Sequence, residues 1–449
     1  MQMLKRPLLR SVLRRAIAPP PSLDRAARQM FLLGRDCAPL FCGLVEFVLD
    51  EAAREGFERV YYFTREGEFF AAIHRGIQAA QPAARLPAAE VLEVSRLATF
   101  LPSLAEVSLE SLRPLWQRYP RQTPAAILAS LNLDPQPLSP LLEEHGLPLT
   151  ETTEIERPWE DARVQALFGD ARFQSHARTA AAEQRAALLG YLQRRGIAPQ
   201  SPRVCVADIG WRGTVHDNLA RLLPQTLWHG CYLGLQRDRS PEPQPPPPNV
   251  VRRSFVAEVV CRGRADGMAY EFLKFVGPME MLCNSPRGTV VGYLQDGDGT
   301  RALHRNCPAE DHVYHEFVRH FQAGVLAAVP LIARQADAAA DGYRAFQGDY
   351  WRILRTLMVE PPRAVARAHA ALRHDETFGV GGAIEMGRRL PIAWALKAAF
   401  SPESRQRLLR WVYSTPWPQG LLVARNLGVL CKWLNWRYFR ALYSGNIGP

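Results

Sequence analysis

None of the eight cysteines forms a CxxC pair; Cys37, Cys42, Cys205, Cys231, Cys261, Cys283, Cys307 and Cys431 are scattered. That spacing excludes a zinc ribbon and offers no disulfide framework. It fits reduced, mostly buried thiols in a cytoplasm. No run of about 18 uncharged apolar residues occurs, so no spanning helix is expected. Arginines interrupt the apolar stretch of MQMLKRPLLRSVLRRAIAPPP, so no secretory h-region is expected either. Internal repeats, a GxSxG elbow and an ordered Ser/His/Asp or Cys/His set are also missing. What is present is ordinary globular usage, 47% hydrophobic and 22% charged over 449 residues. Such a chain has room for about two to four domains with a core that needs no staples.

The basic side chains outnumber the acidic by 55 to 44, a net charge of +11. That surface favours phosphates, nucleic acid or an anionic membrane face. Without a recognisable nucleic-acid motif, no nucleic-acid partner is expected. In residues 4–17, Leu4, Leu8, Leu9, Val12, Leu13 and Ile17 share one helical face and Lys5, Arg6, Arg10, Arg14 and Arg15 the rest. Two readings stand: an interfacial anchor, or a helix docked on the protein's own body. Residues 421–443 mix Arg425, Lys432, Arg437 and Arg440 with Trp433, Trp436, Tyr438 and Phe439, a composition suited to headgroups or to self-packing. The expected location is cytoplasmic, with peripheral contact at the inner membrane as the added possibility.

From about residue 38 the periodicity is α/β. A helix around 40–52 is followed by buried-strand runs at 60–63, 91–94, 204–207 and 229–235, with helices between them. A strand-like run is also read at 255–260. Strands alternating with helices predict a parallel sheet covered on both faces. The expected organisation is a basic arm over 1–33, an α/β core over 34–102 and 176–300, a helical insertion over 103–175, and a helical C-terminal region over 301–449.

Three strand–loop–helix units carry possible chemistry. In VCVADIGWRGTVHDNL, Gly210 and Gly213 let backbone amides approach an anion, Arg212 adds charge and Thr214 a hydroxyl at a helix start. The competing reading is a plain βα turn with Thr214 as the helix cap. It is not a P-loop, since the glycines are too close and no lysine follows. RVYYFTREGEFF places Arg65 and Glu66 at a second strand end, and EVLEVSRLAT places Ser95 and Arg96 at a third. Asp296-Gly297-Asp298-Gly299-Thr300 mimics a phosphatase nucleophile loop, but a poor strand precedes it, and a hairpin turn is the better reading. His312, Glu316 and His320 share a helix face and read as solvated.

Together APLFCGLVEFVLDEA, VYYFTREGEFF, EVSRLAT and VCVADIGWRGTVHDNL resemble a region of bacterial capsule and O-antigen gene products, often labelled haloacid-dehalogenase-like. The resemblance covers about residues 34–295. That family includes phosphoribosyltransferase modules that build ribofuranose into polysaccharides, with a fold similar to type I phosphoribosyltransferases. The resemblance implies a transfer of 5-phosphoribosyl from phosphoribosyl diphosphate (PRPP) to a hydroxyl of a lipid-linked glycan, with release of pyrophosphate. It implies Gly210, Trp211, Arg212, Gly213 and Thr214 around the 5-phosphate. Thr64, Arg65, Glu66 and Gly67 would form the pyrophosphate loop, with Ser95 and Arg96 as a second clamp. Asp208 would hold the ribose, and Glu66 or Asp208 would take the acceptor's proton. Mg²⁺ would enter through the donor rather than through a protein cage, and a separate phosphatase would remove the 5-phosphate. The chain departs from the related patterns at two positions. A single Asp208 follows Ala207 where nucleotide enzymes carry two acids, and Glu66 stands where the glycan family has Asp. The alternative is a non-catalytic sugar-phosphate-binding partner of a glycosyltransferase complex.

Overall fold

A computed structural model describes residues 9–236, 245–264, 268–297, 299–374, 384–385, 397, 401–432 and 435. The first eight residues of the basic arm, Asp298, residues 241–244 of the proline-rich stretch, and Trp433, Trp436, Arg437, Tyr438, Phe439 and Arg440 lie outside them. Helix α1 (Leu9–Ala16) buries Leu9 and Leu13 in the main core. Its Arg10 and Arg14 reach Asp36 at 3.0 and 2.6 Å. Of the two readings of this arm, the docked one holds for the described part: its apolar face is already covered.

Helix α2 (Arg25–Arg54) is far longer than the expected 40–52 segment. Asp24 caps it by accepting from the Ala27 amide at 2.8 Å. At its other end Gly56 takes a φ of 70°, and the Phe57 amide returns to the Ala52 carbonyl at 2.8 Å.

The sheet has five strands: β1 (Arg59–Phe63), β2 (Ala88–Leu92), β3 (Arg203–Trp211), β4 (Leu227–Leu235) and β5 (Val250–Ser254). Their order is β2-β1-β3-β4-β5 and every neighbouring pair is parallel. The α/β reading with a parallel, helix-flanked sheet is borne out. Alternate residues feed two cores, as the pleat requires. Val60, Tyr62, Cys205, Ala207, Cys231 and Leu233 face the core beneath α2. Tyr61, Phe63, Val204, Val206 and Trp228 face the opposite core, with Leu188 and Leu192 of α5 (Ala171–Arg194) and Leu219 of α6 (Thr214–Leu222). The run at 255–260 is not a strand. The edge strand is Val250–Ser254, and Val256–Val260 winds into a helical turn. Its apolar residues fill the core by burying Val256, Val259 and Val260. A continuous apolar run cannot distinguish strand from buried helix.

Residues beyond 300 complete the main core. Helix α7 (Gly277–Cys283) precedes a hairpin, β6 (Thr289–Asp296) and β7 (Gly299–Arg305), which bears out the hairpin reading of the DGDGT segment. Helix α8 (Pro308–Val313) leads to α9 (Arg319–Asp337), which lies against α2. The two helices touch backbone to backbone: a Cβ on Gly34 would strike the Phe321 carbonyl, and one on Gly324 the Phe31 carbonyl. The helical insertion has a second core of its own, around Trp116, Phe168 and Phe173.

Candidate functional site

Because all five strands run parallel, the turns after β1, β2 and β3 leave the same edge of the sheet. From β1 the chain moves towards β2, and from β3 it moves the other way, towards β4. The crevice between the ends of β1 and β3 is therefore a topological switch point, where open α/β sheets bind ligands. Tyr62 pairs with Ala207 there, so Thr64–Gly67 and Asp208–Thr214 lie side by side.

Strand β3 continues through Trp211, beyond the expected end at Ala207. The true turn is Arg212-Gly213. Gly210, at φ 112°, runs so close to Gly234 that any Cβ would strike its carbonyl oxygen. Gly213, at φ 70°, sits at the cap position of α6, and no side chain caps that helix. Thr214 is thus its first residue and not its cap. The opening amides of α6 lack a side-chain acceptor and have the helix dipole behind them. A Cβ on Gly213 would lie 3.0 Å from the Tyr232 hydroxyl and 3.1 Å from Arg252 Nε. Arg252 is ion-paired with Asp217. The Tyr232 hydroxyl is 2.5 Å from His216 Nδ1. Burial drives the His216 pKa down to about 3, so this imidazole is neutral.

Two carboxylates meet in the crevice. Burial, and then the charge of Glu66, push the Asp208 pKa well above the usual carboxylate range. Its Oδ1 accepts from the Ile209 amide at 2.8 Å. Burial also raises Glu66; Arg65 opposes the rise and Glu280 adds to it. Glu66 Oε2 accepts from the Arg65 amide at 3.1 Å. The Arg65 guanidinium is ion-paired with Glu310 of α8. Burial disfavours its charge, but Glu310 and Glu66 together raise its proton affinity. Glu280 of α7 closes the group, its Oε1 accepting from Trp211 Nε1 at 2.7 Å.

Not every expected residue joins this cluster. Thr64 Oγ1 links its loop to the next, bonding the Val94 carbonyl and amide at 3.1 Å each. Gly67 packs α3 (Gly67–Ala80) on Tyr62, whose backbone leaves no space for a Cβ. Ser95 is used structurally: its hydroxyl donates to the Val290 carbonyl at 2.6 Å and caps α4 (Arg96–Ser103) by accepting from Ala98. Arg96 is exposed and directed to the Tyr119 hydroxyl of the helical insertion at 3.4 Å. Trp211 is buried, with its indole N–H given to Glu280. Arg212 is exposed at the turn.

Beside the crevice lies a cavity of about 230 Å³, lined among others by Arg65, Lys274, Val276, Glu280, Asn284 and Glu310. Sequence reasoning missed Lys274, Glu280, Glu310 and Arg252. All four come from segments far along the chain, and Lys274, Glu280 and Glu310 lie where no local pattern marks them. Arg252 alone had a readable signal, the short β-prone Val250-Val251 before it. His312 and Glu316 are exposed on their helix. Among the described residues, no group of three or more His, Cys, Asp or Glu is arranged to hold a metal. Burial and repulsion from neighbouring carboxylates raise both Asp208 and Glu66, so a cation brought beside them would relieve that repulsion.

Comparison with protein-family models finds no match, and comparison with curated proteins finds none either. Among the described residues, no helix is long and apolar enough to cross a membrane.

Proposed function

We propose that the protein is a glycosyltransferase that moves 5-phosphoribosyl from PRPP to a glycan hydroxyl in surface-polysaccharide synthesis. One observation carries this reading: two carboxylates and an arginine stand between two turns at a switch point, one turn ending on a helix N-terminus that no side chain caps. A donor with a phosphate at each end of a ribose matches that layout. The amides of α6 would take the 5-phosphate, and Arg65 the diphosphate after exchanging Glu310 for it. Asp208 would hold the ribose hydroxyls. Loss of pyrophosphate leaves positive charge on the ribose, which Asp208 and Glu66 would stabilise. Mg²⁺ bound to the diphosphate supplies leaving-group neutralisation. A non-catalytic sugar-phosphate module would use the same glycine turn but give no work to the half-buried acids. The lipid-linked acceptor, a partner phosphatase for the 5-phosphate, and peripheral contact with the inner membrane belong to the same proposal.

Thermal melting with PRPP and Mg²⁺ tests the donor. A ligand at one hundred times its Kd stabilises by about 2.7 kcal/mol, so the melting point should rise by several degrees, and UDP- or GDP-sugars should do less. A shift with nucleotide sugars and none with PRPP would mean another donor.

A further inference from the structure

The cavity beside the crevice is bounded on one side by Arg65, which belongs to the turn after β1. On another it is bounded by Glu280, which Trp211 ties to the end of β3. It therefore adjoins the turn after β1, beside the group assigned to the diphosphate end of the donor. Its lining suits a sugar. Asn284, Lys274 and the carboxylates offer donors and acceptors for hydroxyls, and Val276, Met281, Leu372 and Pro416 offer apolar contact for a C–H face. Its 230 Å³ falls short of the roughly 300–1,000 Å³ of drug-sized sites, which limits it to about one ring.

The acids around it are not equivalent. Glu310 is engaged by Arg65. Asp208 and Glu66 accept from backbone amides and are not among the cavity's lining residues. Glu280 lines the cavity directly; Oε1 is fixed by the Trp211 indole, and Oε2 accepts no hydrogen bond from the described residues. A cavity-lining carboxylate with one oxygen held and the other unclaimed is a positioned base.

Resting on the phosphoribosyl-donor reading, we propose that this cavity is the acceptor site for a single sugar ring, with Glu280 as the base. The acceptor oxygen bonds to the anomeric carbon as the carbon–oxygen bond to pyrophosphate breaks. That bonding pair leaves with pyrophosphate, and the hydroxyl proton passes to Glu280 Oε2. Arg65 at the shared wall keeps the leaving group and the acceptor in adjoining spaces.

The test uses PRPP, Mg²⁺ and three acceptor probes: methyl α-D-glucopyranoside, methyl β-D-galactopyranoside and methyl α-D-mannopyranoside. Product is followed by mass. The wild-type protein should phosphoribosylate at least one. Glu280→Gln keeps an acceptor for the indole, so it should melt normally and keep its PRPP-induced shift. Its kcat should fall about 10²- to 10⁴-fold, the usual worth of a general base. Val276→Trp, which narrows the cavity, should raise the acceptor KM at least tenfold and leave the PRPP KM unchanged. A kcat loss under 100-fold in Glu280→Gln would overturn the base. An unchanged acceptor KM in Val276→Trp would overturn the site. No product from any probe, with PRPP still stabilising the wild type, would overturn the acceptor proposal alone. Failure of PRPP to stabilise the wild type would instead bring down the donor reading beneath it.

Discussion

Keeping the half-buried Asp208 carboxylate ionised beside Glu66 destabilises the folded state at neutral pH, because desolvation and then the charge of Glu66 raise its pKa. An acid raised in the folded state contributes stability that is fully present below its unfolded pKa, about 3.9. That contribution is lost as pH rises through the folded value. Asp208→Asn should therefore melt no lower than wild type at pH 7.5. Any advantage should shrink as the pH falls towards 4, where the wild-type carboxyl holds its proton. Transfer should drop at least about a hundredfold, because the ribose loses its anionic partner. A large fall in melting point at pH 7.5, or near-wild-type turnover, would contradict the assignment. Asp208, Glu66 and Arg65 were legible in the sequence because each follows a short β-prone run directly. Arg96 was legible as a residue but not in its direction, since its Tyr119 partner sits in the helical insertion. Glu280 and Glu310 reach the site from more than two hundred residues beyond Glu66 and could be found only in three dimensions.

Elements with strong periodicity were readable, and those set by a distant contact were not. The central strands lie close to where alternation and turn residues put them. β3 overran its expected end because Gly210 and Trp211 stay paired with Gly234 and Leu235 of β4. Helix α2 outran its apolar pattern because Asp24 caps it early and α9 supports its first half. That support depends on two close approaches, Gly34 against Phe321 and Gly324 against Phe31, where the backbones meet without room for a methyl. Gly324→Ala should therefore lower stability by at least about 2 kcal/mol, the cost of overpacking a tight interface. Urea unfolding reads this directly. A change below about 0.5 kcal/mol would mean that the helices separate without penalty.

Across the whole molecule, the sheet and the helices beyond residue 300 form one core, so the expected C-terminal region is also a wall of the site. Glu310 holds Arg65 from there, and His369, Leu372 and Pro416 line the cavity. The net charge of +11 suits an anionic donor and acceptor without requiring a membrane, and the apolar face of α1 is already committed to the core. The central claim is that the two turns hold the two ends of one donor. Diffraction from crystals soaked with PRPP and Mg²⁺ tests it most directly. The 5-phosphate should lie on the amides that open α6, at Gly213–Thr214, and the diphosphate at Thr64–Gly67, with Arg65 released from Glu310. At saturating donor, PRPP bound anywhere else, or an Arg65–Glu310 pair left intact beside an empty crevice, would contradict it.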